Sequence, residues 1–340
     1  MSRPDFYLTR LDEIADALGR VQKAEVREVG RSAGGRPIMA ACYGEKEPIE
    51  HAANLSSALA AGKPEAFFGE SRRQKQVLFI HAAVHGAEME GSAAALNLVN
   101  LLETGKDLKG GEWPELLSAA ERLRLIILPC LNPDGRARVP DDPTIWSEDE
   151  VEKYRHGLYQ DGSQIRWPQC KVPHPRDPKA DGFLGAYFND AGVNPLHGVF
   201  LSPAIAPETH AAMVLAVEET PDCVLDLHSC SVGPFYIVGN DVIPERLSRR
   251  QCYIDGCYRQ LLRERLGIHR DWTTEGREGA LTLDGAYYHL CHALPLVFES
   301  ADGTDKQRPS THEQIVDSQL IAIEALATMG VREGFKLPEN

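Results

Sequence analysis

Residues 77–91, Val-Leu-Phe-Ile-His-Ala-Ala-Val-His-Gly-Ala-Glu-Met-Glu-Gly, start as a short apolar run and cross a turn containing glycine. They then open into the Ala- and Leu-rich segment Ser92 to Leu102. That order reads as buried strand, loop and helix. The same pattern recurs at Leu125–Leu131, which ends in the turn Asn132-Pro-Asp-Gly135, at Cys223–Ser229 and at Leu294–Ser300. Helical spacing fills 116–123, 207–219, 246–266, 286–291 and 312–329. Strands alternating with helices of this length predict an α/β fold with a mostly parallel sheet covered by helices. Upstream, residues 6–20 are spaced as a helix, and 24–44 alternate around Gly34-Gly35 as a hairpin. Residues 45–71 are mixed and polar, without a decisive pattern. The stretch 136–203 is rich in Pro, Gly, Asp and His, and is expected to form ordered loops walling a pocket. With no internal repeat and no domain linker, residues 1–340 are read as one domain.

Composition narrows the function. The 340 residues carry 50 acidic and 36 basic side chains, a formal charge of −14, which argues against a main role in binding nucleic acid. No stretch has the apolar length needed to span a bilayer, and the first residues do not resemble a secretory signal. The eight cysteines include no Cys-x-x-Cys pair, so a reduced, cytoplasmic protein is expected.

The central loop carries the chemistry. His85 and Glu88 are separated only by Gly86 and Ala87, and a turn aiming both inward lets them grip one metal ion. Two ligands hold zinc poorly, so a third is needed. Open α/β sheets place ligands at the carboxyl ends of strands, where Asp226-Leu-His-Ser229 offers His228 and Val297-Phe-Glu299 offers Glu299. Two histidines and one glutamate leave a fourth position on a single Zn2+ for water, the arrangement of a catalytic site. Glu299 is then available to take the water proton and hand it to a leaving nitrogen. His81 and His85 form a rival pair at i, i+4 spacing. A helical zinc motif needs Glu straight after the first His, and Ala82 stands there instead, so His81 is read as a sheet residue near the site.

Four segments, in order, resemble the zinc carboxypeptidase family of metallopeptidases (the carboxypeptidase A-like group). They are Gly30-Arg-Ser-Ala-Gly-Gly-Arg-Pro-Ile38, His85-Gly-Ala-Glu88, Asn132-Pro-Asp-Gly135 with Asp226-Leu-His-Ser229, and Phe298-Glu299. The resemblance implies an α/β/α three-layer sandwich around a mixed, mostly parallel eight-stranded sheet. It also implies zinc on His85, Glu88 and His228, with Glu299 as general base and acid. The family's Gly-Val-Asp-x-Asn-Arg-Asn, whose Asn and Arg hold a substrate carboxylate, is matched here by Gly192-Val-Asn-Pro-Leu-His-Gly198. Leu196 and His197 take the clamp positions. Near the place of the family's carbonyl-polarising arginine stands Tyr187-Phe-Asn189. His197 can supply one donor, and Arg136, Arg138, Arg166, Arg176 and Arg277 are the candidate replacement cations.

The expected function is zinc-dependent hydrolysis of an amide bond in a small peptide, a cell-wall-type peptide or an N-acylated amino acid. A deacylase of the aspartoacylase or succinylglutamate desuccinylase type is the near rival. A zinc-containing protein that only binds peptide is the reading from another class.

Overall fold

A computed structural model describes residues 3–48, 53–69, 73–166, 169–171, 176, 177, 179, 181–197, 205–239, 242–269 and 281–336. Its strands are β1 (Ala24–Arg31), β2 (Pro37–Tyr43), β3 (Val77–Ala82), β4 (Arg124–Leu128), β5 (Gly157–Tyr159), β6 (Asp181–Leu184), β7 (Cys223–Cys230), β8 (Phe235–Ile237) and β9 (Leu294–Ala301). Seven of them form one sheet in the order β1-β2-β4-β3-β7-β9-β8. The middle four, β4, β3, β7 and β9, run parallel, while β1, β2 and β8 pair antiparallel at the edges. The main sheet thus has seven strands among the described residues, against the eight implied by the resemblance. The mixed, centrally parallel arrangement is as expected.

Both faces are covered. Leu78, Ile80 and Ala82 of β3 pack into one core with residues of the helices Glu90–Thr104, Pro114–Ala120, Glu245–Leu266 and His312–Glu333. Val77 and Phe79 face the other core, against the helices Pro207–Glu219 and Leu283–Cys291. A strand buried on both sides has no polar face to alternate with, which is why these strands read as uninterrupted apolar runs. Two pairings escaped sequence reading. The three-residue edge strand β8 is too short to show a period, and β5 pairs with β6 across a gap of more than twenty residues. Within 45–71, where the sequence was indecisive, the described residues include short helices at Leu55–Ala60 and Glu65–Phe68.

The turn motifs are tied together by one buried carboxylate. Asp134 accepts hydrogen bonds from Ser32 Oγ (2.6 Å), the Gly34 N–H (2.7 Å) and Arg36 Nη1 (2.7 Å). The β1–β2 turn is thereby pinned to the Asn132–Gly135 turn beside the site. Asn132 caps the short helix Pro133–Ala137 by accepting from the Gly135 N–H.

Candidate active site

The four proposed residues come from the carboxyl ends of three neighbouring parallel strands. After β3, Ala83 adopts a left-handed backbone with φ of 52° although it is not glycine, and the chain turns there toward the sheet end. Gly86 follows in a space with no room for a side chain. A Cβ there would lie 2.1 Å from the Arg136 nitrogen and 2.3 Å from the Gly135 carbonyl carbon. The Gly86 N–H donates to the Ala186 carbonyl (2.8 Å), and the Gly86 carbonyl accepts from Arg136 Nη1 (3.0 Å). His228 and Glu299 need no such props. They are Cα partners in the β7–β9 register, so both side chains leave the same face of the sheet side by side.

The donor atoms converge. Glu88 Oε1 lies 3.0 Å from His85 Nδ1, and its Oε2 lies 2.7 Å from His228 Nδ1. One donor atom from each of the three residues falls within 4.8 Å of the others, and all three residues are buried. Burial pushes the Glu88 carboxyl up, but His85 and His228 outweigh it and hold the group well below its ordinary value. Burial disfavours charge on His228 as well. Asp226 and Glu88 outweigh that and hold its ring well above the usual histidine value. His85 has a single carboxylate neighbour, and burial prevails, lowering it to about 4. The two imidazoles thus flank the one carboxylate of the set, each facing a different oxygen of Glu88. Two imidazole nitrogens and one carboxylate are the ligands a catalytic zinc takes, so the residues present fit that ion.

Burial raises the Glu299 carboxyl to about 7, with Glu88 adding to the rise while His228, Arg155 and Lys171 oppose it. Its Oε2 has no hydrogen-bond partner among the described residues. A half-buried carboxyl poised near neutrality beside a metal-ligand set suits proton transfer.

The substrate-side candidates fare differently. Arg136 is buried and spends its guanidinium on the carbonyls of Gly86, Val139 and Pro140. Arg138 holds the carbonyls of Leu184, Gly185 and Phe188 and pairs with Asp190. Arg176 pairs with Asp181 through Nε at 2.6 Å, and Arg166 bonds Gln164. These four act within the protein's own framework in this conformation. Arg277 lies outside the described residues. His197 sits near the ligands, its ring centroid 6.4 Å from that of His85, and burial lowers it to about 2, so it faces the site uncharged at neutral pH.

Three residues near the centre were not foreseen in these roles. Tyr187 stacks on His85 with centroids 3.7 Å apart and planes 3° apart, and its hydroxyl reaches Glu88. Arg155 forms a buried ion pair with Asp302, and its charge reaches Glu88, Tyr187 and Glu299. Lys171 places its ammonium 5.9 Å from the Tyr187 ring centroid, and its charge reaches His85, His197 and Glu299. A signal for Arg155 existed. Ser147-Glu-Asp-Glu150 is a capping box that starts the helix Glu148–Arg155, which would have put Arg155 at the end of an ordered element.

The sequence profile of the zinc carboxypeptidase family matches residues 12–252, and the chain belongs to that family, which makes it a zinc metallopeptidase by class. Among solved structures it is similar to a metallo-carboxypeptidase from Burkholderia cenocepacia (16% identity, TM-score 0.56), covering 92% of this chain and 66% of that one. It is also similar to a Pseudomonas aeruginosa metallo-carboxypeptidase solved with (2-guanidinoethylmercapto)succinic acid (16%, 0.56; 94% and 68%). A third is bovine thrombin-activatable fibrinolysis inhibitor with a tick carboxypeptidase inhibitor (13%, 0.57; 96% and 99%). At these identities the likeness shows the fold. The chain spans about two thirds of the length of the two bacterial relatives. A comparison with curated proteins finds no sequence match.

Proposed function

We propose that the protein is a zinc-dependent hydrolase of amide bonds, acting on a small peptide, a cell-wall-type peptide or an N-acylated amino acid. The observation that carries this is Glu299, its carboxyl raised to about 7, standing in register beside His228 of the His85–Glu88–His228 set. One zinc ion held by these three residues supplies a water of lowered pKa and a Lewis acid for the scissile carbonyl. Glu299 accepts the proton from the attacking water and delivers it to the departing nitrogen. Arg155 and Tyr187 place positive charge and a phenol donor at the same centre, where an oxyanion develops.

The substrate is the finer part of the reading. Leu196 is buried and His197 is uncharged where the family keeps a fixed cation for a terminal carboxylate. That favours substrates bound by other means, and it keeps the N-acyl amino acid deacylase reading beside the peptidase one. The eight free cysteines fit a cytoplasmic setting.

The test is zinc content together with turnover on a panel of unblocked peptides, cell-wall-type peptides and N-acyl amino acids. The expected result is one zinc per chain, hydrolysis of at least one class, and loss of about 100-fold or more in Glu299→Gln with zinc retained. A zinc-loaded protein inert on the whole panel leaves the binding-protein reading in its place.

A further inference from the structure

Behind His228, on the side away from Glu88, lies a line of buried polar groups that hydrolysis itself does not use. His228 Nε2 is 2.9 Å from Asp226 Oδ2. Asp226 Oδ1 is 3.1 Å from His81 Nδ1. His81 Nε2 is 3.0 Å from the Tyr287 hydroxyl. His81, Asp226 and Tyr287 have no solvent exposure, and His228 has 3%. Three separate elements contribute: β3, β7 and the helix Leu283–Cys291. His81 and Asp226 are Cα partners in the β3–β7 register, so the pairing is built into the sheet.

The chemistry of the groups sets the direction of the two hydrogen bonds at the ends of this line. The Tyr287 phenol donates its O–H to His81 Nε2, and burial keeps that phenol protonated, well above its ordinary value. His81 Nε2 is therefore the acceptor nitrogen, which leaves the hydrogen on Nδ1, 3.1 Å from Asp226 Oδ1 in a close polar contact whose alignment falls short of a hydrogen bond. The other Asp226 oxygen accepts from His228 Nε2–H. With Nε2–H engaged in this way, the nitrogen left to offer a lone pair to an ion is Nδ1, which faces Glu88. Asp226 thus turns one carboxylate oxygen toward each histidine, Oδ2 to His228 and Oδ1 to His81.

We infer that Tyr287, His81 and Asp226 are positioning residues of the metal centre: a buried polar chain, hydrogen-bonded at both ends and in close contact between His81 and Asp226, that holds His228 in the orientation and tautomer that present Nδ1 to the ion. The inference rests on the assignment of His228 as a zinc ligand and not on the nature of the substrate. An orienting partner on the far nitrogen of a metal-bound imidazole raises its basicity and removes its freedom to rotate, and losing one typically costs 10–100-fold in metal affinity. Asparagine at 226 turns an amide N–H2 toward one of its two histidine donors. Facing His228, it favours the tautomer with the hydrogen on Nδ1, which cannot bind the ion.

The same neighbourhood contains a competing arrangement. His81, Asp226 and Asp284 place ligand atoms within 4.8 Å of one another, which a second metal ion could use. The experiment separates the two. Zinc stoichiometry and zinc affinity, by competition with a chromophoric chelator, are measured on the full-length protein and on Asp226→Asn, His81→Gln and Tyr287→Phe. Visible absorption of the cobalt-substituted proteins is recorded alongside. We expect one ion per chain throughout, affinity weakened 10–100-fold in Asp226→Asn, less in His81→Gln and a few-fold in Tyr287→Phe, with a shifted cobalt spectrum in the first two. The tyrosine variant keeps the ring that fills the helix–sheet space, so it reports on the hydrogen bond even if another variant folds poorly. Unchanged affinities and spectra overturn the inference and leave the hydrolase reading standing. Two ions per chain falling to one in His81→Gln overturn it in favour of a second metal site. Tight zinc binding in every variant with no turnover by the parent protein defeats the hydrolase reading as well, through a separate measurement.

Discussion

His228 and Glu299 are held by strands, His85 and Glu88 by a loop, and the two halves of the site are stabilised by different physics. On β7 and β9 the ladder sets backbone positions, and the register makes the two side chains neighbours. His228 then gains a carboxylate on its far nitrogen. The loop after β3 has no ladder. It is held by Arg136 and the Ala186 carbonyl on either side of Gly86, and by the Asn132 N–H bonding the Ala83 carbonyl (3.0 Å). His85 Nε2 is buried without a hydrogen-bond partner among the described residues, and the ring is steadied by its stack on Tyr187. A metal centre of this kind is as well ordered as its loop half. Substitutions that leave every ligand in place but loosen that loop should therefore empty the site first.

Gly86→Ala tests this most severely. Its Cβ would meet backbone at 2.1 and 2.3 Å, and backbone cannot step aside as a flexible side chain can. The loop must move, at a cost of about 3 kcal/mol in chemical denaturation, and zinc content should fall well below one per chain. Full zinc occupancy in a normally stable Gly86→Ala protein would contradict the division between the halves. Arg136→Met comes next. It keeps most of the volume and removes the donors to three carbonyls, costing about 2 kcal/mol. Zinc affinity should drop, while the pH dependence set by Glu299 stays in place in whatever fraction retains metal.

The same division explains what the sequence disclosed. The strand half was legible because buried parallel strands spell uninterrupted apolar runs, and a His or Glu at the end of such a run stands out. His85 and Glu88 were legible through their spacing around Gly86. The supports of the loop were not. Arg136 looked like an available cation and turned out to be committed to carbonyls, because nothing in Asn-Pro-Asp-Gly-Arg says which way the guanidinium turns. Tyr187, Arg155 and Lys171 reach the site across sequence separations of about 70 residues or more from His85 and Glu88, through contacts with no period. His81 was placed correctly in the sheet, but its bond to Tyr287 joins residues 206 positions apart.

The strand half carries the pH dependence. Burial raises Glu299 to about 7, and the base must be ionised to take a proton. Values of kcat/KM should therefore rise with pH through the Glu299 ionisation and fall about tenfold per unit below it. A bound divalent cation favours the ionised carboxylate, so the inflection of the loaded enzyme should lie at or below about 7. Glu299→Gln should abolish this limb together with most of the rate. An acid limb that persists unchanged in the residual activity of Glu299→Gln would assign the ionisation to another group.

The smallest effect expected is at Tyr187, and it asks what stands in for the missing partner of His85. The stack is nearly parallel at 3.7 Å, and an aromatic pair of this kind contributes about 1 kcal/mol beyond the area it covers. If the stack steadies the imidazole, Tyr187→Leu should weaken zinc binding about fivefold in a chelator competition, the ratio that 1 kcal/mol represents. Tyr187→Phe keeps the stacked ring and removes only the hydroxyl directed at Glu88, so it should weaken zinc less. Equal losses in the two variants would transfer the role to the hydroxyl, and the loop half would then be held by hydrogen bonds alone. No loss in either would mean that the Arg136-braced turn fixes His85 without help from its ring neighbour, and the contrast with the carboxylate-backed His228 would be sharper still.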